Sequence, residues 1–151
     1  MIHLSQRTES TASMSNLNIS DQLMEVIFSA VEESLLQRKT QDDIVPFVLM
    51  LTKKGVVLQR FDKASISEAL TSARTTINAT DENALGYALA YDSQIEIKGD
   101  IYDAVMIEAG TRAPAKGWRF IQRYRPSIGT QPLQKIGSLA YFGDAICYFN
   151  Q

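Results

Sequence analysis

The chain has 151 residues, 45% of them hydrophobic, and a formal net charge of −2. That length suits one domain with a core of its own, and that charge gives the whole molecule no pull toward nucleic acid or anionic lipid. One cysteine, Cys147, excludes an intrachain disulfide, and no run nears the roughly 18 apolar residues of a spanning helix; no membrane association and a cytoplasmic location are the expectation.

Residues 1–18 are polar, rich in Ser and Thr and without periodicity. They read as a disordered segment with no apolar core of a signal peptide, which leaves a single domain over 19–151. From Ser20 the pattern turns helical: Leu23, Ile27, Ala30, Val31, Ser34 and Leu35 recur on one stripe, widened by Met24 and Phe28. Ser20 suits the N-cap, Asp21 the positive end of the helix dipole, and Arg38 and Lys39 the other end, so the helix is predicted over 20–39. The run "VPFVLMLTKKGVVLQRF" reads as a hairpin, Val45 to Thr52 then Val56 to Phe61, turning at Lys53-Lys54-Gly55. Ser65 and Glu68 form a capping-box pattern, and Ile66, Ala69, Leu70, Ala73 and Ile77 carry a second helix to about Asn78.

The remainder reads as strands: Leu85 to Tyr91, Gln94 to Lys98, Ile101 to Ala109, and Trp118 to Arg125. Gly99-Asp100 supplies a two-residue turn, and 110–117 is a loop with a glycine at each end. The tail "LAYFGDAICYFN" is too apolar for a free end and reads as a last short strand or a cover for the sheet. The order is α-β-β-α-β-β-β-β. Hairpins cannot build a parallel sheet, so the fold class is α+β: one domain, a mainly antiparallel sheet of about six strands, and two helices packed on one face. This order, helix 20–39, hairpin 45–61, helix 65–78 and then strands, is similar to that of roadblock and profilin-like domains, a likeness of layout that implies no function.

Counting removes most catalytic arrangements. His3 is the only histidine, so a Ser-His-Asp or Cys-His set, or a zinc site of Cys and His, is not expected. The common nucleotide-cradling motifs do not occur, and Cys147 in an apolar tail reads as a small hydrophobe. No cofactor, metal or catalytic residue is therefore predicted. A carboxylate pair stays open: a turn at Gly99-Asp100 would set Glu96 opposite Asp103, with Asp92 nearby, as a metal or acid–base site or as a wet sheet face beside Lys98.

The charges are unevenly placed. Residues 1–108 hold nine basic and sixteen acidic side chains, whereas 109–143 hold six basic (Arg112, Lys116, Arg119, Arg123, Arg125, Lys135) and no acid. At the centre lies "GWRFIQRYRP". As a strand it puts Trp118, Phe120, Gln122 and Tyr124 on one face and Arg119, Ile121, Arg123 and Arg125 on the other. Stacking of single-stranded nucleic acid needs both kinds on one surface and so is disfavoured. Two readings stay open for the arginines. They are a ladder paired with acids, Glu108 opposite Arg119 among them, or, with Lys116 and Arg112, a site for a small anion. Trp118, Phe120 and Tyr124, with Tyr141 and Phe142, are core residues or the interface of a dimer. The functional expectation is a non-catalytic, homodimeric protein-interaction domain. The alternatives are an anion binder and, behind it, a carboxylate-based enzyme.

Overall fold

The structure, a computed structural model, describes the backbone of Ile2–His3 and residues 16–149. The segment 1–18, read as disordered, lies mostly outside the described residues. In chain order the elements are β1 (Ile2–His3), α1 (Asp21–Thr40), β2 (Phe47–Thr52), β3 (Gly55–Arg60), α2 (Ile66–Asn78), β4 (Ala84–Ile97), β5 (Asp100–Arg112), β6 (Ala115–Arg125) and β7 (Gln134–Ala145). The sheet runs β3-β2-β4-β5-β6-β7, antiparallel throughout, and β1 lies parallel to β4 beside Ile95 and Glu96. The α+β class and the element order are those expected.

Both helices start where their caps predict. Ser20 Oγ accepts from Leu23 N–H at 3.1 Å, and Ser65 Oγ accepts from Glu68 N–H at 3.1 Å. Three sequence expectations shift. Gln94 to Lys98 is not a separate strand: β4 runs unbroken from Ala84 to Ile97, because Asp92 carries its carboxylate inward to a hydrogen bond with the Tyr124 hydroxyl. The following turn is Lys98-Gly99, both at positive φ (52° and 87°), rather than Gly99-Asp100. The loop over 110–117 is a tight hairpin in which Gly110 faces Gly117. Those glycines permit close approach, not a turn. A Cβ on Gly110 would meet the Tyr87 ring at 2.6 Å, and one on Gly117 the Ala145 carbonyl at 2.6 Å.

The two helices do not share a face. Neighbouring residues of a strand point to opposite sides of the sheet, and they divide here between two cores. Phe47, Leu49, Ala88, Ala90, Val105, Ile107, Trp118, Phe120 and Tyr124 pack under α1, while Val48, Tyr87 and Leu89 pack under α2. The expectation of both helices on one face is thus corrected. The reason is the near-continuous apolar character of β2, β4 and β5, which leaves both faces to be covered.

The covers are unequal. α1 buries Leu23, Val26, Ile27, Val31 and Leu35, at about 1.5–3 kcal/mol for each large side chain; Phe28, expected in the stripe, points to solvent. α2 buries only Ala69, Ala73 and Ile77, far less apolar surface. The deficit is met by the chain after β7, whose Tyr148 and Phe149 join the α2-side core. Gly117 lies under that crossing. Gly117→Ala is therefore expected to destabilise the fold by about 1–3 kcal/mol, since backbone atoms must shift, as read by denaturant unfolding.

Candidate functional site

The arginine strand divides its faces as predicted, and Glu108 faces Arg119 in the ladder. The side chains are used differently from either expectation. Arg112 is turned to the α2 side, donating to the Ala84 carbonyl (2.8 Å) and Thr80 Oγ1 (3.0 Å) and lying 4.1 Å over the Phe149 ring. Arg123 stacks over Tyr102 at 4.7 Å, and Lys116 lies 5.5 Å over Trp118. Arg119 is half-buried close to Tyr91, and Arg125 is exposed. These five side chains do not converge on one point, as a cradle for a small anion requires. Trp118, Phe120 and Tyr124 are at most 2% exposed beneath α1, so they offer no surface to a second subunit. α1 of the same chain already covers them. Tyr141 packs edge-on against Phe120 at 5.9 Å, and Phe142 packs half-buried on the opposite face.

The carboxylate pair differs as well. With the turn at Lys98-Gly99, Gln94 faces Asp103 and Ile101 faces Glu96, so Glu96 and Asp103 do not oppose each other. A one-residue change of turn is the cause. Asp92 takes the place of Glu96 as the neighbour of Asp103. Both lie on the α1 side, and repulsion from Asp103 adds to burial in raising the Asp92 pKa. The Tyr124 hydroxyl (2.8 Å) and the Ser93 N–H (3.1 Å) donate to Asp92 Oδ1, and the charge of Arg38 offsets part of the effect.

Asp92 and Asp103 open into a cleft of about 560 Å³, within the range of ligand sites. Its walls are the α1–β2 connection (Asp43 to Pro46), the β3–α2 connection with the first turn of α2 (Phe61 to Ile66, and Ala69), and the middle of β4 (Asp92 to Gln94). Four aspartates line it, Asp43, Asp62, Asp92 and Asp103, against one cation, Lys63. The cleft exists because β2 stops short. β2 pairs with β4 only as far as Ala90, and β1 resumes at Ile95. Along Tyr91–Gln94 the β4 edge therefore has no strand beside it among the described residues. Sequence reading missed the cleft because it depends on where β2 ends relative to β4, a non-local fact.

A second polar cluster stands on the α2 side. Glu108 is 2% exposed, and its carboxylate accepts from Arg74 (Nη2 to Oε2 2.9 Å, to Oε1 3.1 Å), from the Tyr91 hydroxyl (2.5 Å) and from the Tyr148 hydroxyl (2.5 Å). Burial alone would raise its pKa; the hydrogen bonds from Tyr148, Tyr91 and Arg74 outweigh this and lower it. Burial and the same carboxylate push the Tyr148 phenol up to about 12. The Tyr148 N–H donates to the Tyr87 hydroxyl at 3.0 Å, so Tyr148 is held at two atoms. Every oxygen of Glu108 is engaged, which makes this cluster a fastening and not an open site. Its one sequence signal was a lone acid within the apolar strand "AVMIEAG".

Among the described residues no group of His, Cys, Asp and Glu side chains is gathered for a metal ion, and no helix is long and apolar enough to cross a membrane. No protein-family profile, curated protein or solved structure matches the chain.

The buried Glu108 and the half-buried Asp92 respond to pH with opposite sign. The Glu108 pKa is lowered by folding, so its contribution is present above the ordinary glutamate value and lost as pH falls through the folded one. Glu108→Gln should cost about 2–3 kcal/mol near pH 7, with the deficit shrinking toward pH 3. The Asp92 pKa is raised, so its ionisation destabilises the fold above the folded value and the penalty disappears in acid. Asp92→Asn, which keeps an acceptor for Tyr124, should stabilise near pH 7 and not near pH 3. Urea unfolding at both pH values reads both variants.

Proposed function

We propose that the protein is an interaction domain that acts by binding rather than by chemistry, and that its cleft takes a basic, extended segment of a partner protein. The observation that carries the reading is the coincidence of two features. A stretch of β4 edge without a neighbouring strand forms one wall of the cleft, and four aspartates line that cleft with a single lysine among them. An extended segment laid along Tyr91–Gln94 completes the ladder with its backbone, as in strand addition to an open edge. A Lys or Arg side chain of that segment then lies between Asp92 and Asp103. Burial and mutual repulsion raise the proton affinity of Asp92, and a bound cation relieves the same repulsion.

An anion site on the arginine face has less support. Arg112 and Arg123 are held by the protein's own groups, and the cleft is lined by none of the five basic side chains of that reading. A carboxylate-based enzyme that uses Glu96 with Asp103 loses its geometry with the register.

The test is a titration of the full-length chain with a fluorescent peptide of alternating Val and Lys, read by anisotropy at low and high salt. Binding that weakens with salt is expected, since screening reaches exposed charges first. Asp92→Asn with Asp103→Asn should lower the affinity by about tenfold or more. A matched Val-Glu peptide should not bind. Equal binding of both peptides, or an unchanged affinity in the double variant, contradicts the proposal.

A further inference from the structure

We infer that a second copy of this chain pairs with the outer edge of β3, which no strand flanks among the described residues, continuing the sheet across a twofold axis. This surface shares Asp62 with the rim of the cleft and is otherwise apart from it, and it does not depend on the reading of the cleft. The six-strand path of the sheet ends in two edge strands, β3 and β7. β7 is guarded against edge pairing: its ladder with β6 shifts register twice, and Gly137 and Gly143 take positive φ (68° and 127°) within it. β3 has no such guard from Val56 to Arg60, its one positive φ being at Gly55, the first residue. It pairs with β2 through all six positions without a shift and contains no proline. Its Val56 and Val57 are 53% and 57% exposed on opposite faces.

The phase of the ladder says which atoms are free. Phe61 N–H donates to the Pro46 carbonyl at 2.8 Å, so the alternate residues Gly55, Val57 and Gln59 bond to β2. Val56, Leu58 and Arg60 therefore turn N–H and C=O outward. Antiparallel strands related by an axis normal to the sheet set side chains of the same face opposite each other, and two neighbouring registers of that kind centre on the middle of β3. In one, Leu58 faces Leu58 of the partner subunit, and Val56 faces Arg60 of the partner subunit. All three outward residues then find bonding partners, and Lys54 comes beside Asp62 of the partner subunit, twice by symmetry. In the other, Val57 faces Val57 of the partner subunit, one outward residue is left out of the ladder, and Lys54 meets Arg60 of the partner subunit, cation against cation. Hydrogen bonding and charge both select the first. Such a contact is isologous and closes at two copies.

The experiment is sedimentation equilibrium of the full-length chain from about 1 to 100 µM, a range that spans a micromolar Kd. A reversible monomer–dimer equilibrium is expected. Val56→Lys should weaken it, and Lys54→Glu should weaken it about tenfold through two lost ion pairs. The double variant Lys54→Glu, Asp62→Lys should restore it. All three positions are exposed, and thermal unfolding checks that each variant folds. A monomer at every concentration overturns the proposal, as does a dimer indifferent to Val56→Lys and Lys54→Glu, or a double variant that stays weak. Val56 and Lys54 lie outside the cleft, so the loss of dimerisation and the loss of peptide binding are separately readable.

Discussion

The arrangement of the α2 side depends on one buried charge. Glu108 stands among apolar neighbours in β5, where an unpaired carboxylate would cost several kcal/mol. It is tolerated because three elements bring donors to it: α2 through Arg74, β4 through Tyr91, and the segment after β7 through Tyr148. The dependence runs both ways. α2 buries little apolar surface, so Arg74 is a main anchor of that helix; the tail has no ladder of its own and hangs on Tyr148 and Phe149. Arg119 adds positive charge beside the cluster, near Tyr91, while Arg112 stacks on Phe149. The acid-free stretch of the sequence thus supplies part of the cationic surroundings of an acid that lies just before it.

The same economy of cover explains the cleft. α1 is long enough to roof β2, β4, β5 and β6, and its buried stripe ends near Gln37. β2 is short, and the β4–β5 hairpin extends past it. Asp92 and Asp103 lie in that overhang, half sheltered by Tyr124 and Arg38 and open toward the loops that hold Asp43 and Asp62. The fold therefore keeps two kinds of carboxylate apart. One carboxylate is sealed and fully bonded on the α2 side, and a group of others on the α1 side is short of cations.

What could be read from the sequence was what neighbours in sequence decide. The caps at Ser20 and Ser65, the stripe of α1, the β2–β3 hairpin and the alternation of "GWRFIQRYRP" are local patterns, and the structure carries them. Three things depended on distant contacts. Gly110 and Gly117 looked like loop punctuation, but they are glycines because Tyr87 and the backbone at Ala145 come close. The turn at Lys98-Gly99 looked one residue later, and that shift alone separates Glu96 from Asp103 and gives Asp92 its place beside it. The placement of the helices followed from a sheet apolar on both faces, a signal present in "VPFVLML" whose consequence for the second helix was not drawn from periodicity alone. Of the arginines, the strand and the face were readable, whereas their partners, a tyrosine ring, a phenylalanine ring and backbone carbonyls, were not.

The most direct measurement of the central claim is a double-mutant cycle between α2 and the tail. Arg74→Ala and Tyr148→Phe would be made singly and together and their unfolding free energies compared by urea denaturation near pH 7. Arg74 and Tyr148 meet through Glu108 and by the guanidinium 5.3 Å over the ring. If Glu108 binds helix, strand and tail into one unit, the two losses are non-additive, with a coupling of about 1–2 kcal/mol. Losses that add to within about 0.5 kcal/mol would contradict it, because helix and tail would then be held independently.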